Sequence, residues 1–335
     1  MTPRAWSARL LVGLALATSL LATPLLATAE AATTQQDNAP TTVSFTFTGG
    51  YRGQEAAARI LTRHDVAGTF YVSSRFVGLP DYLDAADLRA ISASGSEIGG
   101  GTARHHDLAT MPAERVLQEV CADRSNLSSR GFPMTSFAYP HGSWTYTAQT
   151  AVQKCGYNSA RGLAQLRVSD SHCSACPPSE SLPPLNVYDL RTTSPDADLT
   201  ALEQTIARAQ SAGGGWVVVA LDHVCRCSEL GRDALSPREF ERLVRWVSHR
   251  PGLQVRTVDD VVGGSVRPVP PVPTVETTRA ATLQQDKAIP LSRRPAWTVF
   301  GIGIGQVQIL FSGLLLATAV VATYRVSTRG SRYGR

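Results

Sequence analysis

Three short clusters in this chain carry side chains able to bind a cation or move a proton. They are His105-His106-Asp107, the run Tyr139-Pro140-His141 with Trp144 and Tyr146 close behind, and the pair Asp222-His223. Imidazoles and carboxylates are ligands for a divalent ion such as zinc, and an imidazole titrating near neutrality can serve as general acid or base. If loops bring these groups together, they suffice for a metal-assisted hydrolase. Each also has a plainer reading. His105 fits a hydrogen-bonded loop histidine, and Asp222 with His223 fits a mutual pair or a strand-end cap. Tyr139, His141, Trp144 and Tyr146 fit either sugar stacking or packing at a barrel rim. Asp189 and Arg191 fit a surface pair.

The elements that must position these groups alternate. Strand-like runs fall at Val43–Phe47, Gly68–Val72, Glu97–Gly99, Ser136–Tyr139, Trp216–Leu221 and Gln254–Val258. Helical periodicity covers Gln54–His64, Pro112–Arg130 and Thr200–Gln210. Ser236-Pro237-Arg238-Glu239 is a capping box opening a helix through Val247. Such alternation predicts a parallel sheet or barrel wrapped by helices, in a domain spanning 41–263. The first strand ends in Gly49-Gly50. A strand end of this kind sits at the rim of an α/β sheet, where chemistry is usually placed.

The chain ends carry targeting signals. Arg4 and Arg9 precede an apolar run from Leu10 to Leu26, and Ala27-Thr28-Ala29 supplies a cleavage site, so 1–31 reads as a signal peptide. Residues 297–324 are nearly uncharged and long enough to cross a bilayer, and the basic tail 325–335 favours the cytoplasmic side. Residues 264–296 form a proline-rich linker, read as a spacer without a binding role. The expected product is a single-pass cell-membrane protein with its domain outside and its C-terminus in the cytoplasm. The net charge of +5 is concentrated in the tail and the signal peptide. It gives no reason to expect nucleic acid or another polyanion as partner.

Six cysteines lie in the segment placed outside the cytoplasm, which makes disulfides the default. Cys121 and Cys155 are expected to pair, since each lies near the middle or end of a predicted helix beside one strand. The remaining C-x-x-C (Cys173, Cys176) and C-x-C (Cys225, Cys227) leave a four-thiolate zinc site as the sharper alternative.

Five stretches resemble the polysaccharide deacetylase (NodB-homology) family in order, spacing and flanking residues. They are Thr46-Phe47-Thr48-Gly49-Gly50, Gly68-Thr69-Phe70-Tyr71-Val72, Gly101-Thr102-Ala103-Arg104-His105, Phe137-Ala138-Tyr139-Pro140-His141-Gly142 and the strand ending Leu221-Asp222-His223. The close of the domain, Arg256 to Val262, is similar to the family's C-terminal end. The resemblance implies an α/β fold, a distorted, incomplete (β/α) barrel, here with one C-terminal transmembrane helix. It further implies removal of acetyl groups from N-acetylated sugars by a metal-bound hydroxide. The implied partner is cell-wall or other N-acetylated polysaccharide, beside the membrane reached through the C-terminal helix.

Matched residue by residue, the implied machinery is largely substituted. The base position holds Thr48, and the metal-ligand aspartate and first histidine positions hold Gly49 and Gly101. His105 alone keeps a ligand identity. Ala138 stands where many members have the arginine that orients the base, and Asp222 stands at the catalytic histidine, with His223 one residue late. A one-residue slip in a strand reverses the side chain's face. Asp222 and His223 therefore remain the catalytic candidates, Tyr139, His141 and Trp144 the substrate-binding ones, and His105 the metal one. The reading favoured is a tethered, catalytically impaired deacetylase-like protein without a cofactor. The alternatives are an active zinc-dependent N-deacetylase with rearranged ligands, drawn from His105, His106, Asp107, His141, Asp222 and His223, and a non-glycan interaction module.

Overall fold

The computed structural model describes residues 40–163, 165–167, 173, 175–227 and 234–274. The expected signal peptide, membrane span and tail, and the linker beyond 274, lie outside the described residues. Among the described residues no helix is long and apolar enough to cross a membrane.

The chain runs β1 (Thr41–Phe47), α1 (Gln54–Arg63), β2 (Thr69–Val72), α2 (Ala85–Ala93), β3 (Glu97–Gly100), α3 (Ala113–Ser128), β4 (Ser136–Ala138), α4 (Tyr146–Lys154) and β5 (Ser159–Arg161). It continues through α5 (Leu199–Ser211), β6 (Trp216–Leu221), β7 (His223–Val224), β8 (Ala234–Leu235), α6 (Pro237–His249), β9 (Leu253–Val255) and α7 (Val258–Val262). Strands β5-β4-β3-β2-β1-β6 form one parallel sheet, with β9 also paired to β1. This is the expected helix-wrapped α/β architecture.

The buried strand β1 shows how the two faces divide. Its odd positions, Val43, Phe45 and Phe47, meet the helical layer. Phe47 stacks on Phe70 at 4.5 Å, and Phe240 of α6 presents its edge to both Phe45 and Phe47. The even positions face the interior of the curled sheet and are polar. Ser44 Oγ donates to the Arg256 carbonyl and accepts from Trp216 Nε1, while Thr46 donates to the Val219 carbonyl. Thr48 continues this inner row. Hence the first family motif ends pointing into the sheet's concave side, at the rim formed by the strands' C-terminal ends.

At the opposite end β1 forks. Thr41–Val43 pair with β9, whereas Thr46 and Phe47 pair with β2. Glu97 closes the fork. It is half-buried, accepts from Thr69 Oγ1 at 2.8 Å and the Asp259 amide at 2.9 Å, and takes a further short hydrogen bond from Ser136. Desolvation pushes its carboxyl upward, opposed by these donors.

Several expectations change here. The last strand is shorter than Gln254–Val258, because Thr257 caps α7 with its side chain on the Asp260 amide and Asp260 returns the bond. The short elements α2 and β5 carry too little periodicity to be read from sequence. The first part of the linker is docked rather than free. Buried Arg124 donates to the carbonyls of Arg267 (2.6 Å) and Pro268 (3.1 Å), and Asn158 Nδ2 donates to those of Gly263 (3.4 Å) and Ser265 (3.2 Å). Cys121–Cys155 forms as expected, and Cys173–Cys176 and Cys225–Cys227 each close on themselves, so the thiolate zinc site is replaced by two local disulfides. Asp189 and Arg191 do not pair with each other. Arg191 bridges buried Glu180 at 2.9 Å, and Asp189 accepts from Gln165.

Candidate functional site

Thr48 follows the last residue of β1, at the rim. Its carbonyl accepts from Gln54 Nε2 at 2.6 Å, and the same amide nitrogen donates to the Asp222 carbonyl at 2.9 Å. Gln54 opens α1, so the first helix locks the ends of β1 and β6 together. The Thr48 hydroxyl receives Arg161 Nη2 at 2.6 Å. Arg161 ends β5, is wholly buried, and lays its guanidinium 4.7 Å from the ring centroid of Tyr71. Its Nε finds no hydrogen-bond partner among the described residues. Burial lowers its pKa, against the opposing pull of Tyr71 and Asp222.

The register explains how this arginine arrives. Ala138 of β4 pairs with Arg161 of β5. The strand position that the resemblance assigns to a base-orienting arginine is an alanine, and the neighbouring strand supplies a guanidinium at the same level. Burial of a lone guanidinium is costly unless it is bonded or stacked, and Thr48, the Gly162 carbonyl and Tyr71 meet that need here.

Gly49 follows with φ +89°, a conformation that L side chains rarely adopt. A Cβ built there would lie 2.5 Å from a ring carbon of Tyr51. The tyrosine ring therefore occupies the space into which a ligand side chain would project. Tyr51 is itself held between Tyr82, at 5.4 Å, and His223, at 4.2 Å. Burial, with Tyr82 and Asp222 nearby, raises its phenol above the ordinary range. Gly101 is different. A Cβ there would meet nothing closer than the Val72 carbonyl oxygen at 3.6 Å, which is ordinary contact.

Beneath Gly101 lies Asp123, a residue of α3 that the sequence did not single out. It is fully buried, accepts from the Ser74 amide at 2.8 Å and from the Gly101 amide at 3.0 Å, and burial pushes it up to about 7. It ties the loops after β2 and β3 to the helical layer. The signal for it was weak, because Glu119 and Arg124 also place charge on the buried side of this helix.

His105 and His141 meet edge to face at 4.9 Å, and both adopt left-handed backbone, φ +57° and +58°. Thr102 does the same at +71°. Burial, then the neighbouring His141, lowers the His105 pKa, which favours its neutral imidazole. Its buried Nε2 finds no partner among the described residues. Asp107 is absorbed as a cap, accepting from the Ala109 amide at 2.9 Å, and His106 lies 3.9 Å from Glu119, which is already paired with Arg104. Asp222 stays on the concave side near Arg161, while the His223 ring is stacked on Tyr51.

Tyr139, one of the sugar-stacking candidates, is corrected to a packing role. It is fully buried, donates to the Tyr188 carbonyl at 3.0 Å, and supports Trp144, whose ring stacks at 6.0 Å. His141 and Tyr146 are exposed and Trp144 half-buried at this edge.

The metal implied by the resemblance does not fit the residues present. Among the described residues no three His, Cys, Asp or Glu side chains converge as ligands. The structure accounts for this directly, since Gly49 and Gly101 offer no donor and the Gly49 side is filled by Tyr51.

A model of the polysaccharide deacetylase family matches residues 35–160. No curated protein matches the chain. Among solved structures it is similar to the Xyl-CE4 domain of a multidomain xylanase from the hindgut metagenome of Trinervitermes trinervoides, at 15% identity over 66% of this chain and 89% of that one, TM-score 0.43. It is similar to a mutant of the peptidoglycan deacetylase PdaC from Bacillus subtilis, at 14% identity over 75% and 99%, TM-score 0.44. A mutant of a CE4 family pseudoenzyme is similar at 13% identity over 68% and 68%, TM-score 0.46. Through residues 35–160, which take in β1 to β4 and α1 to α4, the chain is similar to the polysaccharide deacetylase family.

Proposed function

We propose that this is an exported, membrane-tethered deacetylase-like protein that has given up metal-dependent hydrolysis and binds N-acetylated cell-wall glycan at the rim of its sheet. The observation that carries the loss is the occupation of the old site by the chain's own groups: Arg161 on the Thr48 hydroxyl and the Tyr51 ring against Gly49. A threonine hydroxyl bonded to a guanidinium cannot take a proton from water near neutral pH. Glycan binding is supported by the exposed His141 and Tyr146 and the half-buried Trp144 along one edge of the rim. Export and tethering rest on the terminal segments of the sequence. The rearranged-ligand alternative finds no support among the described residues.

Amine release from N-acetylglucosamine oligomers by the purified full chain tests the catalytic half, and titration with the same oligomers tests binding. Inert protein that binds the oligomers supports the reading, and turnover contradicts it. The filled position at Gly49 gives a second reading, a non-glycan interaction module, its own footing. Failure to bind any neutral oligomer, with no turnover, would favour it.

A further inference from the structure

On the outer helical layer, α5 and α6 enclose a groove of about 560 Å³ lined by Glu203, Arg242, Arg245, Trp246, His249 and Arg250. It is remote from the Thr48 rim. The chain leaves α6 at His249 and enters β9, whose Leu253 pairs with Thr41 at the start of β1. The groove's C-terminal end thus lies toward the far end of the sheet.

The lining follows from the periodicity of α6. Phe240, Leu243, Val244 and Val247 are buried in the core, which turns Arg238, Arg242, Arg245 and His249 outward as one stripe at i, i+4, i+7 and i+11. The stripe is about 16 Å long, from a rise of ~1.5 Å per residue. Carboxylates that could neutralise it are few or already engaged. Glu239 caps α6 beside Arg242, and Glu241 is turned away to Arg63 and His64. Glu203 is the one acid in the lining.

One cation is also set in place before any ligand arrives. Arg250 Nε donates to Gln210 Oε1 at 2.6 Å, and its guanidinium lies 4.7 Å from the Trp246 ring centroid. Gln210 in turn donates to the Pro251 carbonyl. The arginine head is thereby fixed, with its two terminal nitrogens left to donate, and fixing a donor in advance lowers the entropy cost of binding. A fixed Arg250 and exposed Arg242 and Arg245 repeating along one groove suit a chain with an anionic group on successive units, not a single small anion.

We propose that the α5–α6 groove is a second binding site, for an acidic polysaccharide bearing carboxylate or phosphate groups along its length. That the polymer is a glycan outside the cell rests on the exported, wall-facing reading above. Binding of the charge pattern does not, because it is read by retardation and not by turnover or by neutral-oligomer titration, so either can fail alone.

Affinity electrophoresis of the full chain through gels containing polygalacturonate or a phosphomannan tests the proposal. Retardation by either polymer at low salt is expected, weakening as salt screens the charges. Retardation by one polymer only names the carboxylate or the phosphate as the recognised group. The R242E/R245E double variant, both positions exposed on α6, is expected to bind at least about tenfold more weakly. If its thermal melt shows that it does not fold, Arg250→Gln takes its place. No retardation of the wild-type chain at low salt, or equal retardation of the variant, overturns the proposal. Tighter binding to duplex DNA than to both polymers overturns the assignment to glycan.

Discussion

Arg161 on β5 donates a 2.6 Å hydrogen bond to the hydroxyl of Thr48, which follows β1 at the position where the family resemblance places a base. Ala138 puts no guanidinium on β4, where the resemblance implies one, and its strand neighbour Arg161 supplies one. The pair fills this corner of the rim with hydrogen-bonded, stacked groups. A buried cation that would repel a metal ion now holds the rim together.

The Thr48–Arg161 contact predicts a sharp contrast between two substitutions. Arg161→Ala should destabilise the domain by about 2–4 kcal/mol, since it empties a fully buried site and strips Thr48 of its donor. Arg161→Met, close in volume and without the buried charge, should cost much less. Urea unfolding of the two variants against wild type measures the difference; equal losses would show that charge, not packing, is what the site needs.

The two glycines at ligand positions should respond differently to a side chain. Gly101→Ala has room and should shift stability by under about 1 kcal/mol. Gly49→Ala combines a left-handed backbone with a 2.5 Å clash against Tyr51, and should cost about 1–3 kcal/mol. Thermal melts of both variants check this, and a harmless Gly49→Ala would mean that Tyr51 does not hold the space.

Asp123 predicts a pH dependence. Burial lifts its folded value to about 7, against 3.8 for the free group. The folded state therefore holds its proton more tightly than the unfolded chain. That contribution to stability is fully present below the unfolded value and is lost as pH rises through about 7. In Asp123→Asn this part of the profile should flatten, although one of the two amides it serves, Ser74 or Gly101, loses its acceptor. Urea midpoints at acidic and neutral pH, compared for the two proteins, read the slope. An unchanged slope would assign the pH dependence elsewhere.

How much of this was legible depended on range. β1 and β6 were visible because long runs of β-branched and aromatic residues end in recognisable turns, and the α6 capping box formed as read. Cys121 and Cys155 met because helices that flank one strand bring their inner faces together. The substitutions at Thr48, Gly49, Gly101 and Ala138 could be read by position alone. Arg161 could not, because nothing beside it in Ser159-Ala160-Arg161 marks a three-residue strand whose partner is Ala138. The Tyr51 ring was equally hidden: its sequence position says loop, and only the fold of Gly49 and Gly50 turns it back over the strand end. Net charge likewise concealed the α6 stripe, since a nearly neutral sum says nothing of where arginines align. The docking of residues 263–268 escaped notice because backbone carbonyls, which no composition reveals, receive Arg124 and Asn158.

The central claim is that the chain's own groups have replaced the metal. Zinc titration of the purified full chain by calorimetry, with the metal content of the isolated protein measured alongside, tests it most directly. The account predicts no stoichiometric zinc and no saturable binding in the micromolar range. One-to-one zinc, bound tightly and lost on substitution of His105, would contradict it and return the site to the hydrolases.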